Sequence, residues 1–139
     1  MCRIYRAIAN KIPADSTIWP LFHYQLDKVK FDQETMSAYI KANAAFADTI
    51  MRDLKNGDQV WVHDYYLMLL PLILRQRAKD LGMKIRIGWF LHTPFPAKDF
   101  FDVLPFKSEI LEGILGADII GFQTEQARQN FLSSCSGMV

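Results

Sequence analysis

Apolar residues between Phe31 and Asn56 recur mostly at intervals of three and four, which is typical of one face of a helix. The residues on that face are Met36, Tyr39, Ile40, Phe46, Ala47, Ile50, Met51 and Leu54. Asp32 comes at the start of the pattern as a candidate N-cap, and Gly57 follows it as a candidate left-handed stop. The pattern predicts a long amphipathic helix within residues 31–56.

From Gln59 onward, short apolar runs alternate with helical patterns. Three strands rich in β-branched and aromatic residues are predicted, near residues 59–63, 84–91 and 117–122. Helices are predicted between and after them, over residues 71–80 and 107–115 and from Thr124 onward. Strands that alternate with helices favour a parallel sheet with right-handed crossovers, so the predicted fold class is α/β.

Polar residues follow the ends of all three predicted strands. The pairs are His63 and Asp64, His92 and Thr93, and Gln123 and Thr124. The carboxyl ends of parallel strands share one edge of the sheet, and ligands bind outside that edge in open α/β sheets. We therefore predict that these side chains converge, with His63 and Asp64 as the floor of a pocket.

Each of these residues also has a purely structural interpretation. Asp64 could cap the helix that follows it, and His92 could be an ordinary hydrogen-bonded loop residue. The cluster "WPLFHY", from Trp19 to Tyr24, is more often core than a platform for a sugar. A metal site built from His63, Asp64 and His92 is a further alternative, but the spacing matches no zinc signature and no metal is predicted.

Composition narrows the functional classes. The chain has 139 residues, enough for about one domain, and its net charge of +1 gives no basis for nucleic acid or an anionic membrane as a partner. The longest apolar run, Tyr65 to Leu74, is too short to span a bilayer. Cys2 and Cys135 have no zinc-ligand spacing, and we expect reduced thiols in a cytoplasmic protein.

Six stretches of the chain carry a much more specific signal: "WPLFHY", "FADTI", "VWVHDYYLMLLPLILR", "IGWFLHTPFP", "LPFKSEILEGILGADIIGFQT" and "ARQNFLSSC". In this order, between Ser16 and Gly137, they resemble trehalose-6-phosphate synthases, which are retaining glycosyltransferases with two Rossmann-like domains (the GT-B architecture). The resemblance implies a partial acceptor-side Rossmann-like domain over residues 16–139. Residues 1–15 are expected to form an atypical segment, and the C-terminal nucleotide-binding domain is expected to be absent.

The resemblance also implies a reaction. Family members transfer glucose from UDP-glucose to glucose 6-phosphate, giving trehalose 6-phosphate and UDP, with no metal and no further cofactor. His92 matches a catalytic histidine near the donor glucose, and Asp64 matches an aspartate that hydrogen-bonds the acceptor. Trp19 matches a tryptophan that lines the acceptor site, and His63 is expected to contribute to substrate binding beside Asp64.

The chain departs from the family pattern at several positions. Tyr66 stands where the family usually has a histidine, Asn10 stands where it has a phosphate-binding tyrosine, and no glycine-rich donor loop is recognisable. Tyr66 keeps a hydrogen-bonding group and is expected to be tolerated. We expect the isolated chain to be inactive because, without the nucleotide-binding domain, donor and acceptor cannot be held together in a closed cleft. The alternative is a non-catalytic truncated paralogue that binds full-length synthase subunits through apolar runs at Leu67–Leu74 and Ile119–Phe122, which we expect to be partly exposed.

Overall fold

The computed structural model describes residues 18–29 and 32–138. Its helices and strands, in chain order, are α1 (Ile18–Phe22), α2 (Gln33–Asp53), β1 (Gln59–His63), α3 (Leu70–Asp80), β2 (Arg86–Leu91), α4 (Lys98–Phe101), α5 (Lys107–Leu115), β3 (Ile119–Phe122) and α6 (Glu125–Ser136). Short 3-10 turns cover Leu26–Lys28 and Tyr65–Leu67. The segment predicted as atypical, residues 1–15, lies outside the described residues, and so does Asn10.

The three strands form one parallel sheet in the order β1-β2-β3, which confirms the predicted α/β class. Two strands are shorter than predicted: β2 begins at Arg86 and β3 at Ile119. Lys84 falls outside β2 because its backbone belongs to the preceding turn. Its N–H donates to Asn56 Oδ1 at 2.7 Å, and its carbonyl accepts from the Gly57 N–H at 2.7 Å.

Helix α2 begins where the sequence predicts. The Asp32 carboxylate accepts from the Thr35 N–H at 2.6 Å and from the Thr35 hydroxyl at 2.8 Å, which satisfies a helix-end donor. The predicted apolar face is wrong at Ile40, whose side chain is 45% exposed. Asn43 is buried instead, and its side-chain amide donates to the carbonyls of Tyr39 at 3.0 Å and Tyr66 at 3.2 Å.

The ends of the helices follow the sequence signals with one exception. Helix α2 already ends at Asp53, so Gly57, with φ of +93°, does not stop it and instead forms the turn before β1. Gly82, with φ of +66°, follows the end of α3 as predicted. Gly116 caps α5, and the Thr124 hydroxyl caps α6 by accepting from the Ala127 N–H at 3.2 Å.

The two faces of the sheet differ in burial. On one face Val62, Trp89 and Leu91 are buried beneath the helices, and α3 packs between α2 and α5. On the opposite face Trp61 is 55% exposed and Ile119 is 61% exposed. The Trp61 ring lies across Gly88, where an added Cβ would come within 2.6 Å of the ring. Strands that are apolar on both faces are typical of parallel sheets with a layer on each side.

None of the helices in the described ranges combines the length and the apolar composition that crossing a bilayer requires.

Candidate active site

The carboxyl ends of β1 and β2 bring two histidines into contact. His63 is the last residue of β1, and His92 directly follows β2. His63 Nδ1 lies 3.1 Å from His92 Nε2, and the ring centroids are 5.2 Å apart. The Phe90 ring meets the His92 ring edge-on at 4.9 Å. Residues 29 positions apart in the sequence therefore meet at the edge where the strand order predicts a ligand site.

Asp64 has an unusual backbone. Its φ of +68° and ψ of 176° place it in a region that is essentially restricted to glycine and costs another residue about 1–3 kcal/mol. The backbone is held on both sides, since the Asp64 N–H donates to the Phe90 carbonyl at 2.8 Å and the Trp89 indole N–H donates to the Asp64 carbonyl at 3.1 Å. Residues held in strained conformations concentrate at functional sites, which makes Asp64 a candidate for function.

The Asp64 carboxylate also begins the turn Tyr65–Leu67, because its Oδ1 accepts from the Tyr65 N–H at 3.2 Å. The structural interpretation of Asp64 as a cap is therefore correct for one of its oxygens. A carboxylate has two oxygens and about four acceptor positions, so this single contact leaves capacity for a ligand. Asp64 is half-buried, so a ligand can reach it from solvent.

A buried tyrosine supports this turn from below. The Tyr39 hydroxyl donates to the Tyr65 carbonyl at 2.7 Å and accepts from the Met68 N–H at 3.1 Å. Tyr39 is 1% exposed, and this burial raises the pKa of its phenol. Because the phenol stays protonated, it satisfies one backbone donor and one backbone acceptor at once and fixes the turn beside Asp64.

Trp19 is connected to the site through a stack of rings. Its indole stacks on His23 with centroids 4.1 Å apart, and His23 meets Tyr65 edge-on at 6.5 Å. His23 Nδ1 lies 2.7 Å from the Trp19 carbonyl oxygen, which holds the two rings together. His23 was not among the predicted site residues. The available signal was the spacing of four between Trp19 and His23, which puts both on one side of a helix.

Comparison with known proteins decides the family. The profile of glycosyltransferase family 20 matches residues 3–139. The chain belongs to glycosyltransferase family 20. The match begins ahead of Ser16, where the resemblance in the sequence starts. Together with the relatives described next, it confirms that resemblance to the trehalose-6-phosphate synthases.

A relative from Schizosaccharomyces pombe, an alpha,alpha-trehalose-phosphate synthase (UDP-forming), is 49% identical over 134 residues. The match covers 96% of this chain and 25% of that protein. The chain therefore spans about a quarter of the length of the curated relatives it matches.

Solved structures that resemble this chain share its fold. An E. coli structure bound with UDP-2-fluoro glucose superimposes with a TM-score of 0.85 at 37% identity, covering 97% of this chain and 29% of that one. The Burkholderia xenovorans synthase (UDP-forming) in complex with glucose-6-phosphate gives a TM-score of 0.79 at 34% identity, covering 93% of this chain and 27% of that one.

The third strand end uses one of its two polar residues to cap a helix. Thr124 is used as the cap of α6, and Gln123 is exposed. Within residues 18–29 and 32–138, no group of three or more His, Cys, Asp or Glu side chains is placed to hold a metal ion. The candidate site of this family 20 chain therefore consists of His63, Asp64 and His92, with Trp19 linked to it through His23 and Tyr65.

Proposed function

We propose that this chain supplies the acceptor-side part of a UDP-glucose-dependent retaining glycosyltransferase, which transfers glucose to glucose 6-phosphate and forms trehalose 6-phosphate. The observation that carries the proposal is the strained Asp64 beside the His63–His92 pair, in a chain of family 20. The names of the relatives support it, since one is a UDP-forming synthase and another binds glucose-6-phosphate. In this proposal the protein acts in the cytoplasm, and the glucosyl transfer needs no metal and no further cofactor.

Each residue has a role that its chemistry suits. The Asp64 carboxylate accepts hydrogen bonds from hydroxyls of the acceptor glucose and orients the attacking one. His92 is the catalytic residue, and its exposed ring hydrogen-bonds the donor glucose and positions the anomeric carbon. Trp19 presents a flat apolar ring to the C–H face of the acceptor sugar.

A chimera tests the proposal directly. Residues of this chain replace the matching segment of the Schizosaccharomyces pombe synthase, and UDP release is measured with UDP-glucose in the presence and absence of glucose 6-phosphate. We expect release that requires both substrates, and a loss of about a hundredfold in the Asp64→Asn chimera, because the attacking hydroxyl is no longer oriented. Asp118→Asn, at the opposite edge of the sheet, is the matched control and should leave release unchanged.

Two results would overturn the proposal: a folded chimera with no UDP release that depends on glucose 6-phosphate, or an Asp64→Asn chimera as active as the parent. The isolated chain should show no turnover in the same assay. Transfer requires donor and acceptor to be held together, and the chain spans only a quarter of the relatives.

A second candidate function is non-catalytic binding to full-length synthase subunits. The expectation that Leu67–Leu74 is partly exposed is wrong for most of that run, because the side chains that follow the turn pack into the core. Ile119–Phe122 does agree with it, since Ile119 is 61% exposed beside the exposed Trp61. Analytical ultracentrifugation of the chain mixed with the Schizosaccharomyces pombe synthase should then show a complex, and Ile119→Asp should weaken it. Two proteins that sediment separately would contradict this function.

A further inference from the structure

The contact between the two histidines restricts where their protons lie. A neutral imidazole has one N–H donor and one bare nitrogen acceptor. The contact of 3.1 Å joins His63 Nδ1 to His92 Nε2, so one of these nitrogens carries the proton and the other is bare. If both rings were charged, two N–H groups would point at each other and the hydrogen bond would be lost.

Only two neutral arrangements satisfy the contact. In the first, His92 Nε2–H donates to a bare His63 Nδ1, and both rings then carry their proton on Nε2. In the second, His63 Nδ1–H donates to a bare His92 Nε2, and both rings carry it on Nδ1. Neutral histidine side chains in water favour the Nε2–H form, and the first arrangement gives both rings this form. The first arrangement is therefore favoured, because neither ring is forced into its less stable tautomer.

We propose that His63 is a positioning residue that fixes His92 as its neutral Nε2–H tautomer, which leaves His92 Nδ1 as a hydrogen-bond acceptor for a sugar hydroxyl. This deepens and rests on the proposed glycosyltransferase function. The ring of His92 is held from two sides, by His63 at 3.1 Å and by the edge-on Phe90 ring at 4.9 Å. The hydrogen bond that a histidine makes at one nitrogen determines the chemistry of the other.

The two adjacent residues at the end of β1 then have different roles. Asp64 hydrogen-bonds the acceptor sugar, while His63 acts through His92, in place of the direct substrate contact that the family resemblance implies for it. His63 therefore differs from His92, although both are exposed histidines at neighbouring strand ends.

The chain has only three histidines, so nitrogen NMR can resolve the tautomer of each. His23 provides an internal reference. Its Nδ1 lies 2.7 Å from the Trp19 carbonyl, which can only accept, so His23 is the Nδ1–H tautomer. The measurement is a long-range proton–nitrogen correlation spectrum of the full labelled chain at about pH 8.5, where an ordinary histidine is neutral. We expect His63 and His92 to show the Nε2–H pattern and His23 the opposite one.

Two variants separate positioning from a merely structural role. The hydrogen bond couples the two rings, so the preference of His63 for Nε2–H adds to that of His92. His63→Phe keeps a ring but removes this coupling, and the ratio of Nε2–H to Nδ1–H at His92 should fall about fivefold, to that of a free ring. His63→Asp offers only acceptor oxygens near the position of Nδ1, so it should preserve the His92 pattern. The His23 pattern should be unchanged in both variants, which confirms that the fold is intact.

A His92 that carries its proton on Nδ1 in the unsubstituted chain would overturn the proposal, and so would a His92 ratio that His63→Phe leaves unchanged. If a variant fails to fold, the spectrum of the unsubstituted chain still decides the tautomer. The spectra contain no sugar, so their outcome is separate from the chimera assay. If the tautomers are as expected but glucosyl transfer fails, only the proposed glycosyltransferase function is contradicted. If transfer is active but the tautomers differ, only the proposed role of His63 is contradicted.

Discussion

The two edges of the sheet hold polar residues in different ways. At the amino edge, Arg75 donates to Asp118 at 2.6 Å, to the Ile85 carbonyl at 3.0 Å and to the Gly116 carbonyl at 3.3 Å. Asp118 also accepts from the Ile87 N–H at 2.7 Å. Arg75 and Asp118 are thus paired with each other and with backbone groups of the same fold. These contacts tie the strand starts to α3 and to the end of α5.

At the carboxyl edge, the polar groups are held in place but retain unused capacity. Asp64 has a backbone conformation that favours glycine, His63 and His92 are exposed, and each ring of the pair has a second nitrogen. Support comes from buried residues behind them, chiefly Trp89 and Tyr39. The polar groups of the amino edge therefore stabilise the fold, whereas those of the carboxyl edge are held by the fold in positions where a ligand can contact them.

The largest expected effect is on Trp89, which supports the carboxyl edge from the core. Its side chain is fully buried, and its indole N–H holds the carbonyl of Asp64. Trp89→Ala should lower the free energy of unfolding by about 3–5 kcal/mol, because it leaves a large cavity and an unpaired carbonyl. Trp61→Ala, on the exposed face of the same sheet, should cost about 0.5 kcal/mol. Urea unfolding followed by far-UV circular dichroism measures both, and equal losses would contradict the assignment of the faces.

The next effect concerns the phenol beneath the turn. Tyr39→Phe removes the hydroxyl that pairs with the Tyr65 carbonyl and the Met68 N–H, so both backbone groups become buried without that partner. The free energy of unfolding should fall by about 1–3 kcal/mol. Tyr24→Phe is the matched control, because the Tyr24 side chain is 48% exposed and should be within about 0.5 kcal/mol of the parent. A Tyr39→Phe loss as small as the control would show that the turn does not depend on this phenol.

A comparison at Asp64 tests the strain directly. Asp64→Gly and Asp64→Ala both remove the carboxylate, but only glycine is relaxed at φ of +68° and ψ of 176°. The strain that glycine relieves exceeds the extra entropy that it loses on folding, so Asp64→Gly should be about 1 kcal/mol more stable than Asp64→Ala. Thermal and urea unfolding of the two chains give the difference. A more stable Asp64→Ala chain would mean that the backbone at this position is not strained.

Much of the fold could be predicted because its signals are local. The caps Asp32 and Thr124, the stop at Gly82 and the apolar strands act within a few residues of the chain, and the structure confirms each. Ile40 was predicted wrongly because periodicity does not show where a helix face ends. At the edge of the buried face, the structure buries Asn43, which can donate to two carbonyls, and leaves Ile40 exposed.

The site could be predicted in part for a topological reason. Parallel strands bring their carboxyl ends together, so His63 and His92 could be expected to meet before any distance was known. Two other features of the site could not be predicted: the strain at Asp64 and the support from Trp89 and Tyr39. They depend on backbone angles and on contacts between residues 25 and 26 positions apart. The identity of a residue shows which chemical groups it carries, whereas the packing around it shows whether those groups are fixed in a position to bind a ligand.

The smallest expected effect is at the amino edge and depends on pH. The Ile87 N–H and the Arg75 guanidinium beside Asp118 lower the pKa of its carboxyl below the ordinary value. Because the folded pKa lies below the unfolded one, the contact stabilises the fold above about pH 4, and this contribution is lost as the pH falls through the folded pKa. Both side chains are partly exposed and screened by water, so Asp118→Asn should cost only about 0.5–1 kcal/mol at neutral pH. Urea unfolding between about pH 7 and pH 3 should show the free energies of unfolding of the parent and the variant converging at the acid end.

Asp48→Asn is the control. It removes a more exposed ion pair with Arg77 and should lower the free energy of unfolding by less. A gap between parent and Asp118→Asn that stays constant down to the acid end would show that the ionised carboxylate does not tie this edge together.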